Sequence, residues 1–137
     1  MIIKCSRSSD ELELSEREGL RRTDGGEYFR VTIKGHGLIA SSQVYAFEPN
    51  CGMEQFFEDI AASWRGWKGE KKWSSLEGEL SLVCTSDSLG HIAVEATLNS
   101  GLGEDGWSVR NVFYFDAGQL EQIASDVKKF FALEAAI

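Results

Sequence analysis

Two histidines and three cysteines are the side chains of this chain best suited to nucleophilic, general-base or metal chemistry. His36 lies between Gly35 and Gly37 and reads as a loop residue. His91 stands four residues before Glu95, so both project from one face of the strand expected there. A carboxylate can orient an imidazole and raise its basicity, as a general base requires. Successive same-face residues on a strand are about 7 Å apart, however, and these two are separated by two such steps. Direct pairing is not expected, and both read as part of a polar solvent face. Cys5, Cys51 and Cys84 are odd in number and widely spaced, which fits neither a disulfide framework nor a zinc site, so reduced thiols are expected. Cys84 sits among Leu80, Leu82 and Ile92 and reads as core. Cys51 lies just before a helix amino terminus, where the dipole lowers a thiol pKa, and is the most reactive candidate of the three.

No glycine-rich phosphate loop, dinucleotide fingerprint or nucleophile elbow occurs, and neither histidine has metal-ligand spacing to Cys, Asp or Glu. The expectation is a chain with no assigned catalytic residue, no cofactor and no metal. The densest unusual feature is the stretch 64–80, which holds three of the four tryptophans: Trp64, Trp67 and Trp73. Trp64 falls in phase with the apolar stripe of the helix before it and is expected in the core. Trp67 and Trp73 either anchor an interface or pocket, or brace a helix-to-sheet corner. Glu77 either meets a ligand or ties down backbone amides or a basic side chain in its turn, the second role being favoured. The glycine-rich loop 99–106 adds Glu104 and Asp105. The candidate partner- or ligand-binding set is therefore Trp67, Trp73, Glu77, Glu104 and Asp105.

Twenty-two acids against fourteen bases give a formal net charge of −8, which repels a phosphate backbone and argues against nucleic acid. Arg65, Lys68, Lys71 and Lys72 crowd together with Glu70 as the only acid among them, and read as a solvated turn. No apolar run approaches the ~20 residues of a membrane span, and the amino terminus turns polar after Cys5 without the apolar stretch of a secretory signal. Cytoplasmic residence is the expectation. At 137 residues the chain suits one domain, 1–137, able to bury a core without staples.

The elements that must position these residues follow from periodicity. Residues 27–34 alternate with Phe29, Val31 and Ile33 on one face, and pair through Gly35-His36-Gly37 with a second strand over 38–47. A short edge strand is expected near Leu12. Met53, Phe56, Phe57, Ile60, Ala61 and Trp64 form one helical stripe. Residues 73–76 and 79–85 read as strands on either side of Gly78, and 91–98 alternates again after the Asp87-Ser88-Leu89-Gly90 turn. A two-residue loop there would set Leu82 against Glu95, whereas a three- or five-residue loop sets it against Val94, and burial favours the odd loop. Residues 107–115 form a further strand, and Asp116 with Gln119 opens a second helix carrying Leu120, Ile123, Ala124, Val127, Phe130 and Phe131 inward. The order predicts an α+β fold: a mainly antiparallel curved sheet of about seven strands with two amphipathic helices packed on one face.

The stretch from Trp67 through Gly69, Trp73, Ser75, Glu77 and Gly78 to Leu80, followed by Asp87 and then Gly90-His91-Ile92, resembles a family of small uncharacterised bacterial domains with the pattern W-x-G-x-x-x-W-x-S-x-E-G-x-L. The resemblance covers about half the chain. It implies a bacterial cytoplasmic origin and no established activity; small acidic domains of this look also occur as immunity proteins that neutralise a toxin. No catalytic residue is implied.

These readings favour a non-enzymatic binding domain, immunity-like, that holds a basic protein partner by complementary charge. Two alternatives stand beside it: a small-ligand domain or enzyme with a pocket between sheet and helix, and a structural domain that forms a homodimer.

Overall fold

Hydrophobic alternation at residues 27–33 does become a strand, with Phe29, Val31 and Ile33 fully buried, as the period-two rule requires of a half-buried sheet. The computed structural model describes residues 1–19, 27–46, 51–100 and 106–132. Among them the chain forms β1 (Ile2–Lys4), β2 (Glu11–Gly19), β3 (Glu27–Gly35), β4 (Leu38–Ala46), α1 (Met53–Ala62), β5 (Lys71–Ser74), β6 (Leu80–Ser86), β7 (His91–Asn99) and β8 (Ser108–Asp116). A 3₁₀ turn (Ala117–Gln119) then leads into α2 (Leu120–Ala132).

The α+β class holds, but the single curved sheet of about seven strands does not. The eight strands divide into two four-stranded antiparallel sheets, β1-β2-β3-β4 and β5-β6-β7-β8, each in sequence order and each followed by a helix. The strand near Leu12 is the nine-residue β2, and it lies inside its sheet because β1 pairs outside it. Inward residues of both sheets and of both helices share one hydrophobic core. The two helices pack against each other, α1 also reaches β5, and α2 sets Phe130 and Phe131 edge-on to Phe29 of the first sheet.

Turn chemistry fixes the pairings. β3 and β4 close through His36-Gly37, with Gly35 opposite Leu38 and Gly37 at φ 69°, where glycine avoids the Cβ clash. The β6–β7 loop is Ser88-Leu89-Gly90, closed by Asp87 N–H donating to the His91 carbonyl at 3.0 Å. The loop is odd, as burial demands, but Leu82 faces Ala96 and it is Cys84 that faces Val94. This two-residue difference leaves every side chain on its expected face.

A bulge redirects β2. Ser15 pairs with Arg30 and Glu18 with Tyr28, so Glu16 and Arg17 together oppose Phe29, and Glu16 takes φ 48°. Arg17 is thereby turned beneath the end of α2, where it donates to the Phe130 carbonyl at 3.0 Å and to Glu27 Oε2 at 2.8 Å.

Helix α1 ends two residues before its apolar stripe would. The backbone N–H of Ser63 is shared between the carbonyls of Asp59 and Ile60, and Gly66 then closes a turn onto Ser63. Trp64 consequently leaves the stripe and stands 53% exposed, against the expectation of a core residue. Helix α2 begins as expected: Asp116 N–H donates to Gln119 Oε1 at 2.8 Å, and all six expected apolar positions are buried.

Candidate functional site

The loop 5–10 between β1 and β2 is fastened to the edge of β8. Ser6 donates to the Tyr114 carbonyl from its backbone N–H (2.8 Å) and its hydroxyl (3.0 Å), while Tyr114 N–H donates to Cys5 Sγ at 3.3 Å. Asn111 Nδ2 also donates to Asp10 at 3.2 Å. These bonds hold the Arg7 guanidinium 4.3 Å from the centre of the Tyr114 ring, in cation–π geometry.

Opposite Arg7, the β6–β7 hairpin builds an aspartate–histidine pair. Asp87 Oδ1 accepts the backbone N–H groups of Leu89 (2.8 Å) and His91 (2.9 Å), and Oδ2 lies 2.9 Å from His91 Nδ1. An ionised carboxylate only accepts, so Nδ1 carries the proton and Nε2 is the outward nitrogen. The His91 amide, with the Leu89 amide and the imidazole, holds the Asp87 carboxyl below the usual carboxylate range despite some desolvation. Between hairpin, loop and β8 lies a cleft of about 190 Å³ lined by Arg7, Thr85, Ser86, Asp87, His91, Ile92, Ala93 and Tyr114.

A second concavity, about 370 Å³, lies where the end of α1 meets the start of α2. Ala61, Ala117 and Gly118 line it with Trp64 and Glu121. The Arg65 guanidinium stacks 5.0 Å from the exposed Trp64 ring.

The residues singled out from sequence fall in different places. Trp73 is buried and its indole N–H donates to the Cys51 carbonyl at 2.9 Å, bracing β5 against the start of α1. Trp67 is half-buried beneath Lys71, whose ammonium lies 5.3 Å from the ring; among the described residues its indole N–H has no hydrogen-bond partner. Glu77 is exposed and makes no hydrogen bond or ion pair among the described residues. The tying role expected of it belongs to Glu79 two positions on, a buried carboxylate that accepts Tyr45 N–H and the Ser75 hydroxyl, each at 2.8 Å. Glu104 and Asp105 lie outside the described residues. The basic run resolves largely into local pairs, Lys71 with Asp59 at 2.8 Å and Lys72 with Glu70 at 3.6 Å. His91 and Glu95 do not pair, as expected, because Glu95 meets Arg110 at 3.7 Å instead.

The cysteines reverse the expected ranking. Burial pushes the Cys51 thiol up to about 12, with Glu27 and Glu79 adding to the effect, and the Met53 amide is too weak to offset it. Cys84 is likewise pushed to about 12 by burial, in keeping with its reading as core. Burial also opposes ionisation of Cys5, but hydrogen bonds from the Ser8 hydroxyl and the Tyr114, Arg7 and Ser8 amides outweigh it and hold that thiol below its ordinary value. All three are free thiols.

The Asp87–His91 pair has a local signal in the sequence. An aspartate opening a three-residue hairpin loop with glycine last commonly bonds the amides ahead of it, which brings a histidine four positions on within reach. Arg7 carried none, because its loop meets β8 across a separation of 108 residues at Ser6 and Tyr114.

Among the described residues no three His, Cys, Asp or Glu side chains converge as metal ligands, and no helix is long and apolar enough to cross a membrane. A family model described as a family of unknown function (DUF6228) matches residues 3–134. No curated protein matches the chain.

Proposed function

The chain belongs to the family of unknown function DUF6228, and since membership assigns no activity, we propose from its surface that it is a non-enzymatic protein-binding domain of the bacterial cytoplasm. Its partner is a basic protein, held in the manner of an immunity-type inhibitor. The observation that carries this reading is the exposed Trp64 beside the concavity of Ala61, Ala117, Gly118 and Glu121. A large indole standing over small residues is the usual form of an interface anchor, since a partner side chain can enter the space beside it. Glu121 in the lining favours a cationic partner, and the net charge of −8 supports steering toward one.

The test is affinity capture from the source cells by the wild-type chain and by Trp64→Ala and Glu121→Lys. A basic protein retained by wild type, weakened by raised salt and lost from both variants supports the reading. No retained partner, or one held equally by both variants, overturns it. A second copy of the chain as occupant would instead give a dimer mass in light scattering that Trp64→Ala reduces to a monomer.

A further inference from the structure

We propose that the cleft between the β1–β2 loop and the β6–β7 hairpin is a binding site for a small monocarboxylate, with Arg7 as the charge that receives it. Arg7 lines the cleft, and among the described residues no carboxylate lies within ion-pair distance of it. Stacked at 4.3 Å on Tyr114, its guanidinium has one face against the ring, and no acid among the described residues takes up its N–H edge. That edge is the geometry a carboxylate accepts through both oxygens. The stack costs little ordering on binding, because the loop is already fastened at Ser6 and Cys5 to the backbone of Tyr114.

The rest of the lining sets the ligand class. Thr85 offers a hydroxyl with no partner among the described residues, whereas His91, its Nδ1–H donating to Asp87, presents Nε2 only as an acceptor and gives a carboxylate no donor. Ala93 and the Tyr114 ring supply an apolar wall suited to a short hydrocarbon tail, while Ile92, fully buried, turns its side chain into the core. Asp87 adds a negative charge that a dianion such as phosphate would meet with only one permanent cation to offset it. A monoanion avoids that cost. A volume of about 190 Å³ limits the occupant to a few heavy atoms.

The probes are sodium butyrate and inorganic phosphate, titrated into the full chain while backbone amide resonances are followed by nuclear magnetic resonance. Saturable shifts confined to the β6–β7 hairpin, Tyr114 and the loop carrying Arg7 are expected with butyrate, with phosphate weaker. Arg7→Gln should weaken butyrate about tenfold or more, the loss of one charge-assisted contact. Thr85→Val, which leaves the Arg7 loop untouched, should weaken it by a smaller factor and guards against a folding defect in the first variant. Absence of saturation, tighter binding of phosphate, or an unchanged butyrate affinity in both variants would overturn the assignment. None of these outcomes depends on whether Trp64 meets a partner.

Discussion

The carboxylate of Glu79 accepts the backbone N–H of Tyr45 at 2.8 Å, joining the start of β6 to the last turn of pairing in β4. It is a bond between the two sheets. The same carboxylate takes the Ser75 hydroxyl at 2.8 Å, and Ser75 Oγ in turn accepts Leu80 N–H at 3.1 Å, so one buried side chain closes the β5–β6 turn and satisfies the β4 strand. Glu79→Ala should destabilise the fold by about 2–4 kcal/mol, since buried donors lose a charged acceptor. Glu79→Gln should cost about half as much. Urea unfolding of both variants measures this, and equal, negligible losses would refute it. Glu77→Ala, by contrast, should leave the urea midpoint unchanged.

Arg17 and Glu27 are both nearly buried, and Arg17 also binds the Phe130 carbonyl near the end of α2. Removing the cation leaves a buried carboxylate with no compensating charge. Arg17→Met should therefore cost about 3 kcal/mol or more, while Arg17→Met combined with Glu27→Leu should recover much of that loss. A double-mutant cycle by chemical denaturation reads the coupling. If the double variant is less stable than the sum of the singles, the pair is not the source of the effect.

Trp64 and Trp73 have opposite environments despite lying nine positions apart in one aromatic stretch. Trp73→Ala should cost about 3–5 kcal/mol, as loss of a buried aromatic does, whereas Trp64→Ala should fall within about 0.5 kcal/mol of wild type. Thermal melts of the two variants test the contrast, and a large loss from Trp64→Ala would place that indole in the core after all.

The thiols give the fold an alkaline limit. Cys51 and Cys84, pushed to about 12, ionise far more readily unfolded, at about 8.5. Their contribution to stability is full below the unfolded value and is lost as pH rises toward 12. Cys5 is shifted the other way, so its contribution grows as pH rises through its folded value toward the unfolded one. With two groups against one, the urea midpoint should fall above about pH 9. Thiolate absorbance at 240 nm should resolve one early ionisation, absent from Cys5→Ser, and two late ones. Three ionisations together near the ordinary thiol value would refute this.

Asp87 sets an acid dependence of its own. Its folded pKa is depressed, so the stability it contributes is present above the unfolded value of about 3.9 and lost as pH falls through the folded one. Asp87→Asn should be less stable than wild type at neutral pH, with the difference narrowing in acid. A gap that stays constant to low pH in parallel acid titrations would show that the carboxylate's charge is not what the turn uses.

Much of the architecture was legible in the chain because its signals are local. Alternation at residues 29–33 and 92–98, the stripe from Leu120 to Phe131 and the Asp116–Gln119 box each depend on neighbours within a few positions, and burial follows period whatever the partner is. The same local rule overran at Trp64, because periodicity does not register that the Ser63 amide closes the helix first.

The sequence by itself determined the α+β class, the inward faces of the strands and helices, and the core position of Cys84, all consequences of side-chain period and apolar burial. Only the tertiary structure decided the rest. It divided the strands into two sheets, turned Arg17 inward through a bulge, chose Glu79 over Glu77, desolvated the half-buried Cys51 thiol and brought Arg7 over Tyr114. The physical reason is that each of these depends on backbone groups or charges contributed from elsewhere in the fold, and spacing along one segment carries no record of them.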